Sequence, residues 1–156
     1  MKVGIIGLGF RLGYLGYVLS EIGPDFQIVG YVDPAPAGLP TLQEHGISPG
    51  KAFATPEELI RAGGFDLLMI GSPNHMHLDQ IRLGLEAGVK VFSEKPIVST
   101  IEQTYALAAL MGKYGHDSVL VGLVLRYAPL YRDLLAARDS GQLGKIVSIE
   151  AAEHIY

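Results

Sequence analysis

The sequence predicts a doubly wound α/β fold, in which helices cover both faces of a parallel sheet. Short apolar runs alternate along the chain with segments whose apolar residues recur at helical spacing. A glycine-rich turn, GLGFRLGYLG at residues 7–16, directly follows the first apolar run and opens the first helical segment. Because strands separated by helices of this length are joined by right-handed crossovers, we expect them to pair in parallel.

The predicted strands are short runs that are apolar almost throughout, as expected where both faces of a sheet are buried. They span residues 3–6, 27–32, 66–70, 89–92 and 119–125. The connection over residues 34–51 contains four prolines and three glycines, so we expect it to be irregular.

The predicted helices are the segments with apolar residues three or four positions apart. The first extends from the glycine-rich turn to Gly23-Pro24, which ends it. The second begins at Thr55, which can cap it, and Glu58 can complete a capping box. A third helix ends at Gly88, and a fourth spans residues 100–114.

Composition excludes several classes of function. The chain has 156 residues, enough for one domain and part of a second. Its net charge is −4 and no basic run occurs, which argues against a nucleic-acid partner. It has no cysteine, so disulfides, thiol nucleophiles and thiolate metal sites are excluded. No apolar run is long enough for a membrane span or a secretory signal, so we expect no membrane partner and a cytoplasmic location.

The glycine-rich turn lies where dinucleotide-binding folds hold a pyrophosphate, between a first strand and a first helix. Gly7 would make the tight turn, and Gly9 would let the pyrophosphate approach the backbone. The G-x-G-x-x-G pattern requires its third glycine at position 12, where this chain has Leu12, with Gly13 one residue later. We therefore expect the helix to start differently or to pack further from the sheet.

Asp33 follows the second predicted strand, 20 residues beyond Gly13. A carboxylate there can accept hydrogen bonds from the adenosine ribose and would repel a 2′-phosphate. No lysine or arginine follows until Lys51, so the sequence favours NAD over NADP. The alternative is a turn aspartate before Pro34.

Two further polar segments follow predicted strands: GSPNHMH at residues 71–77 and SEKPIVST at residues 93–100. Ligands of open α/β sheets bind beyond the carboxyl ends of the strands. The glycine-rich turn, Asp33 and these two segments all fall at such ends, so together they predict one ligand site.

With Ser72-Pro73-Asn74, His77 and Glu94-Lys95-Pro96, the chain resembles the N-terminal domain of the Gfo/Idh/MocA family of oxidoreductases. The resemblance covers essentially the whole chain, because RYAP at 126–129 and SGQLGKIVSIEA at 140–151 resemble the passage into the family's second domain. It implies a Rossmann-type NAD(P)-binding domain at 1–125. It also implies a junction helix and first strand, at 126–156, of a largely missing α+β domain for substrate binding and oligomerisation.

The resemblance implies an NAD(P)-dependent dehydrogenase that moves hydride between the cofactor and a secondary alcohol of a sugar, polyol or cyclitol. It also implies a homo-oligomer at full length and an inactive 156-residue chain, because the second domain supplies most of the substrate pocket. Two alternatives stay open: an NAD-dependent glycosidase of the same family, and a non-catalytic regulatory module that binds NAD(H).

The resemblance assigns the family's site residues to the matching positions of this sequence. Lys95 would be the catalytic lysine and would contact the substrate, as Arg126 would, although Arg126 could instead pair with Asp133 or Glu150. The resemblance and the turn together give these cofactor-binding residues: Gly7, Gly9, Phe10, Arg11, Leu12, Asp33, Ser72, Pro73, Asn74, His77, Glu94 and Lys95.

Several of these residues have structural alternatives. Asn74 could cap the next helix, Glu94 could serve only in an ion pair, and Arg11 could simply be exposed at a helix start. His75 and His77 point to different sides of a helix, so we expect no metal site. Met76 we expect to fill a gap in the core.

Overall fold

The computed structural model describes residues 1–152 and contains a six-stranded parallel sheet. Its strands are β1 Lys2–Ile6, β2 Gln27–Val32, β3 Lys51–Ala52, β4 Leu67–Ile70, β5 Lys90–Ser93 and β6 Val119–Val121. Their order across the sheet is β3-β2-β1-β4-β5-β6. β2 and β3 therefore lie on one side of β1, and β4, β5 and β6 lie on the other. This order confirms the predicted doubly wound fold.

Helices connect the strands. They are α1 Phe10–Ile22, α2 Leu39–Glu44, α3 Pro56–Ala62, α4 His77–Glu86, α5 Ile101–Tyr114 and α6 Pro129–Asp139. Short 3₁₀ turns lie at Asn74–Met76 and Val124–Tyr127. None of the helices within residues 1–152 is long and apolar enough to cross a membrane.

The core consists of two apolar clusters. Successive residues of strand β4 belong alternately to one cluster and to the other. In β4, Met69 belongs to the cluster that includes Leu12 of α1, whereas Leu68 and Ile70 belong to the cluster that includes Ile81 of α4. All three β4 side chains are almost fully buried. Because successive side chains of a strand point to opposite faces, a strand buried on both faces has to be apolar at every position.

The connection at residues 34–51 is more regular than we expected. It contains α2, and Lys51 opens β3, which pairs with β2. Pro40 lies in the first turn of α2, where a missing N–H costs nothing, and Leu42 is completely buried. Gly38 and Pro40, which suggested irregular structure, therefore lie at the N-terminus of a short helix, where both are tolerated.

The last predicted strand is shorter than expected. β6 stops at Val121, and the last two residues of the predicted strand, Val124 and Leu125, begin a 3₁₀ turn. The Gly122 amide still donates to the Ser93 carbonyl at 2.9 Å, but Leu123, Val124 and Leu125 are substantially exposed. Continuous apolar character therefore predicted too long a strand.

The predicted start of α3 is confirmed. The Glu58 amide donates to Thr55 Oγ1 at 3.3 Å, and Glu58 Oε2 accepts from the Ala54 amide at 3.1 Å. In a capping box the Glu58 side chain would accept from the amide of the cap residue, Thr55. Here it accepts from the amide of Ala54, the residue before the cap. Thr100 caps α5 in the same way, accepting from the Gln103 amide at 3.2 Å.

The chain divides into two compact units, one of residues 1–122 and one that starts at Leu123. The second contains α6 and, over residues 145–152, no regular element. No strand forms over residues 145–152, within the segment in which the resemblance implies a first strand. Residues 153–156 of the predicted segment 126–156 lie outside the described part of the chain.

Candidate functional site

A cavity of about 720 Å³ opens at the carboxyl ends of β1, β2 and β4. This volume lies within the range of roughly 300–1,000 Å³ that is typical of small-molecule sites. Five of the predicted residues line it: Gly7, Gly9, Asp33, Ser72 and Pro73. The glycine-rich turn, the end of β2 and the segment after β4 therefore converge on one cavity, whereas no residue of the segment at 93–100 lines it.

Gly7 makes the tight turn that its position predicts. Its φ is +82°, a conformation that side chains rarely adopt, and its amide donates to the Val32 carbonyl at 2.8 Å. A Cβ on Gly7 would lie only 2.3 Å from the backbone nitrogen of Ser72. No other residue fits here.

Gly9, in contrast to Gly7, has open space where a side chain would be. Nothing lies within 4 Å of where its Cβ would be, and its φ of −76° is open to any residue. The protein itself therefore does not require a glycine at this position. A lining glycine with empty space in front of it leaves room for a ligand to approach the backbone.

Helix α1 starts immediately beyond Gly9. The amides of Phe10, Arg11 and Leu12 belong to its first turn and have no intrahelical acceptor, whereas the Gly13 amide donates to the Gly9 carbonyl at 2.9 Å. The Phe10 side chain is exposed and that of Leu12 is buried. Any contact of Leu12 with a cofactor would therefore come from its backbone.

The displaced third glycine has a structural explanation. A Cβ on Gly13 would lie 2.6 Å from Gly38 Cα, so Gly13 lets the segment after β2 approach α1. Leu12 instead packs against Gly71, where a Cβ would lie 2.7 Å from Leu12 Cγ. The room that the motif normally leaves on the helix is therefore supplied by a glycine after β4.

Asp33 is a turn residue whose side chain also lines the cavity. Its Oδ1 accepts from the Ala35 amide at 2.8 Å, which makes it a turn residue. The half-buried side chain also lines the cavity, and within residues 1–152 its Oδ2 accepts no hydrogen bond. One carboxylate oxygen holds the turn, and the other is available to a ligand.

The segment after β4 is fixed by α4. The Ser72 hydroxyl donates to Oε1 of the buried Gln80 at 2.6 Å. Asn74 is exposed and begins the 3₁₀ turn, but its side chain makes no capping hydrogen bond, so the capping alternative is not realised. Met76 is 41% exposed and lines the cavity, which corrects the expectation that it fills the core.

His77 lies beneath this segment instead of lining the cavity. It is 1% exposed, and both ring nitrogens face carbonyl oxygens: Nδ1 lies 3.0 Å from that of Pro96 and Nε2 lies 2.8 Å from that of Ser72. His75 is exposed. Within residues 1–152, no three histidine, aspartate or glutamate side chains are grouped so that they could hold a metal ion.

Glu94, Lys95 and Pro96 follow β5, the neighbour of β4. Arg11 Nε donates to Glu94 Oε1 at 3.0 Å, and the Lys95 amide donates to Glu94 Oε2 at 3.3 Å. The Lys95–Pro96 peptide is cis. The Lys95 side chain is exposed, and among the described residues its ammonium group forms no ion pair.

Arg126 belongs to the second unit, in the 3₁₀ turn before α6. It is exposed. It pairs with neither Asp133 nor Glu150, the two carboxylates proposed as its surface partners, in the part of the chain that the structure describes.

Sequence reasoning missed several residues that line the cavity. They are Phe53, Ala54, Pro56 and Gln80. Phe53 directly follows β3, which was not predicted. Gln80 lies one turn along α4 from His77, and a polar residue on the otherwise apolar face of that helix was the available signal.

A family model described as "Oxidoreductase family, NAD-binding Rossmann fold" (GFO_IDH_MocA) matches residues 1–123. The chain belongs to the Gfo/Idh/MocA oxidoreductase family. This confirms the resemblance carried by the glycine-rich turn and by Glu94-Lys95-Pro96.

Relatives within the Gfo/Idh/MocA family include inositol dehydrogenases. The scyllo-inositol 2-dehydrogenase (NAD(+)) of Bacillus subtilis is 31% identical over 149 residues, which are 93% of this chain and 42% of the relative. An inositol 2-dehydrogenase of Corynebacterium glutamicum is 25% identical over 96% of this chain and 44% of its own. The chain therefore spans less than half the length of these relatives.

Solved Gfo/Idh/MocA structures have the same architecture. The scyllo-inositol dehydrogenase of Lactobacillus casei, crystallised with NAD(H) and scyllo-inositol, matches with a TM-score of 0.77 at 29% identity, over 92% of this chain and 42% of that one. The myo-inositol 2-dehydrogenase of Lactobacillus plantarum matches with a TM-score of 0.81 at 22% identity, over 94% and 43%, and supports the fold alone.

Proposed function

We propose that this chain binds NAD(H) and forms the nucleotide-binding part of a dehydrogenase that acts on a secondary alcohol of a polyol or cyclitol. The observation that carries the proposal is the cavity at the carboxyl ends of β1, β2 and β4, with Gly9 and Asp33 in its wall. Family membership and the NAD-dependent inositol dehydrogenases among its relatives support it.

The residues present fit a dinucleotide. Open space in front of Gly9 leaves a cradle that a Cβ would reduce, and the first-turn amides of α1 beside it can hold a pyrophosphate. Asp33 Oδ2 can accept from a ribose hydroxyl while Oδ1 keeps the turn. When bound, the nicotinamide cofactor supplies the hydride acceptor.

Lys95 is the residue we assign to the reacting alcohol. Its ammonium group can donate a hydrogen bond to the alcohol oxygen and stabilise negative charge that develops there. Glu94 accepts from the Lys95 amide and is itself held by Arg11, so the backbone of this lysine is fixed while its side chain stays free to reach a ligand. We also propose that the whole protein is a homo-oligomer and lies in the cytoplasm.

Two measurements test the proposed function. The first is titration of this chain with NADH, followed by cofactor fluorescence, which should show saturable binding. The second uses the protein that carries this chain: Lys95→Ala should lower turnover of a polyol by about 10²-fold or more, with little effect on NADH binding. The matched control is Lys90→Ala, because Lys90 opens β5 and pairs with the exposed Asp117.

Near-normal turnover of the Lys95→Ala variant would contradict the catalytic assignment. NADH binding without any turnover of polyols would instead favour the regulatory module, and hydrolysis of a glycoside would favour the glycosidase.

A further inference from the structure

We infer that His77 is the positioning residue that joins the cavity wall at Ser72 to the Lys95-Pro96 segment, because its two ring nitrogens contact backbone carbonyl oxygens of both. The inference goes beyond the proposed function in giving a task to a buried residue, and its link to Lys95 rests on that function. The cofactor-binding role first expected for His77 requires a ring that faces the ligand, whereas this ring is 1% exposed.

The geometry of the two contacts carries the inference. Nδ1 lies 3.0 Å from the carbonyl oxygen of Pro96, and Nε2 lies 2.8 Å from that of Ser72. A carbonyl oxygen only accepts hydrogen bonds, so each contact needs an N–H on the ring. A neutral imidazole has one N–H and would leave the lone pair of its other nitrogen facing a carbonyl oxygen at this distance.

Both contacts are hydrogen bonds at once only when both nitrogens carry a proton. In either tautomer of the neutral ring, one of the two carbonyl groups accepts the ring N–H. No carboxylate within residues 1–152 bonds to this ring, so these two carbonyl groups are its hydrogen-bond partners.

The bridge connects two segments that follow neighbouring strands of the sheet. Ser72 follows β4 and lines the cavity, and its hydroxyl is fixed by Gln80 on α4. Pro96 follows β5 and is bonded directly to Lys95. His77 thus fixes the backbone on the far side of Lys95, opposite the Glu94 carboxylate that accepts from the Lys95 amide.

The first test reads the ring itself in the wild-type chain. Long-range ¹H–¹⁵N NMR correlation should show a His77 ring N–H that its hydrogen bond protects from exchange with water. The exposed His75 is the internal control and should show no protected ring N–H. Absence of a protected N–H on His77 would overturn the inference, and this result does not depend on cofactor binding or on folding of a variant.

The second test compares His77→Gln with His75→Gln in the same chain. The His77 variant alone should shift the amide resonances of Ser72 and Lys95 and weaken NADH binding by about 10-fold. Unchanged Lys95 resonances would overturn the bridge. Failure of the wild-type chain to bind NADH, with both NMR results as expected, would instead contradict the proposed function.

The third test separates positioning from general support of the fold. In the protein that turns over a polyol, His77→Gln should lower kcat by between about 10-fold and 10²-fold and change KM less. In a Lys95→Ala background the same substitution should cost little further activity, because the two residues act through one step. Equal losses in both backgrounds would refute the link to Lys95.

Discussion

Arg11 and Glu94 form an ion pair, with Nε and Oε1 3.0 Å apart, that joins the first turn of α1 to the residue after β5. Glu94 is the more buried partner, since its side chain is 13% exposed against 46% for Arg11. The pair uses only the Nε–H of the guanidinium group, so the terminal N–H groups of Arg11 stay available to an anion. Glu94 thus takes part in the ion pair considered for it, and contact of Arg11 with a pyrophosphate stays a prediction.

Arg11→Gln should weaken NADH binding by about 10-fold, because it removes a charge beside the first-turn amides and releases Glu94. The free energy of unfolding should fall by at most about 1 kcal/mol, as for other partly exposed pairs. Arg82→Gln is the matched control, because Arg82 pairs with Asp79 on the exposed side of α4. Fluorescence titration measures both variants, and equal affinities would remove Arg11 from the site.

Asp33 should set the preference for NAD(H) over NADP(H). Asp33→Asn keeps an acceptor for the Ala35 amide but removes the charge, so the ratio of the two dissociation constants should move towards NADPH by about 10-fold. Asp33→Ala should also lose stability, because the turn loses its acceptor. Wild-type affinity for NADPH equal to or above that for NADH would show that Asp33 has been assigned wrongly.

Gly9 and Gly13 should respond to alanine in opposite ways. Gly9→Ala should leave the free energy of unfolding unchanged and weaken NADH binding at least about 10-fold, because the Cβ enters space that only a ligand uses. Gly13→Ala should cost roughly 1–3 kcal/mol of stability, because its Cβ would meet the backbone of Gly38. Urea unfolding and NADH titration distinguish them, and a destabilised Gly9→Ala variant would contradict the open space seen here.

Gly71→Ala should destabilise the fold, because a Cβ there would lie 2.7 Å from Leu12 Cγ. The loss should shrink by about 1 kcal/mol in a Leu12→Ala background, where the opposing side chain is gone. The rescue should be partial, since the Gly7 carbonyl oxygen lies 3.0 Å from the same Cβ position. A double-mutant cycle in urea measures the coupling, and strictly additive losses would show that the two residues do not compete for space.

The sequence predicted best what local patterns dictate. β2 has the predicted limits because it is apolar up to the turn at Asp33, and α3 starts at its predicted cap. α2 and β3 were missed because Pro40 and the neighbouring glycines suggest irregular structure unless the burial of Leu42 is known. Local composition carries no information on that burial.

The residues of the site show the same difference between features that local sequence determines and features that depend on distant contacts. Gly7, Gly9 and Asp33 were predictable because each lies at a strand end next to a turn, and strand ends of a parallel sheet meet. The contacts of His77 were not predictable, because they depend on carbonyl groups that two different loops present to one ring. The same holds for Phe53, which enters the cavity wall from a strand of two residues.

The packing of Leu12 on Gly71 changes what a glycine fingerprint means for this chain. The fingerprint is a statement about empty volume between a helix and a strand, and either side of that contact can provide the volume. Positions 12 and 71 should then vary together in natural sequences: a glycine at 12 permits a larger residue at 71, and a leucine at 12 demands a glycine there. A search that reads only the letters around residue 12 would overlook chains that solve the same steric problem from the opposite side.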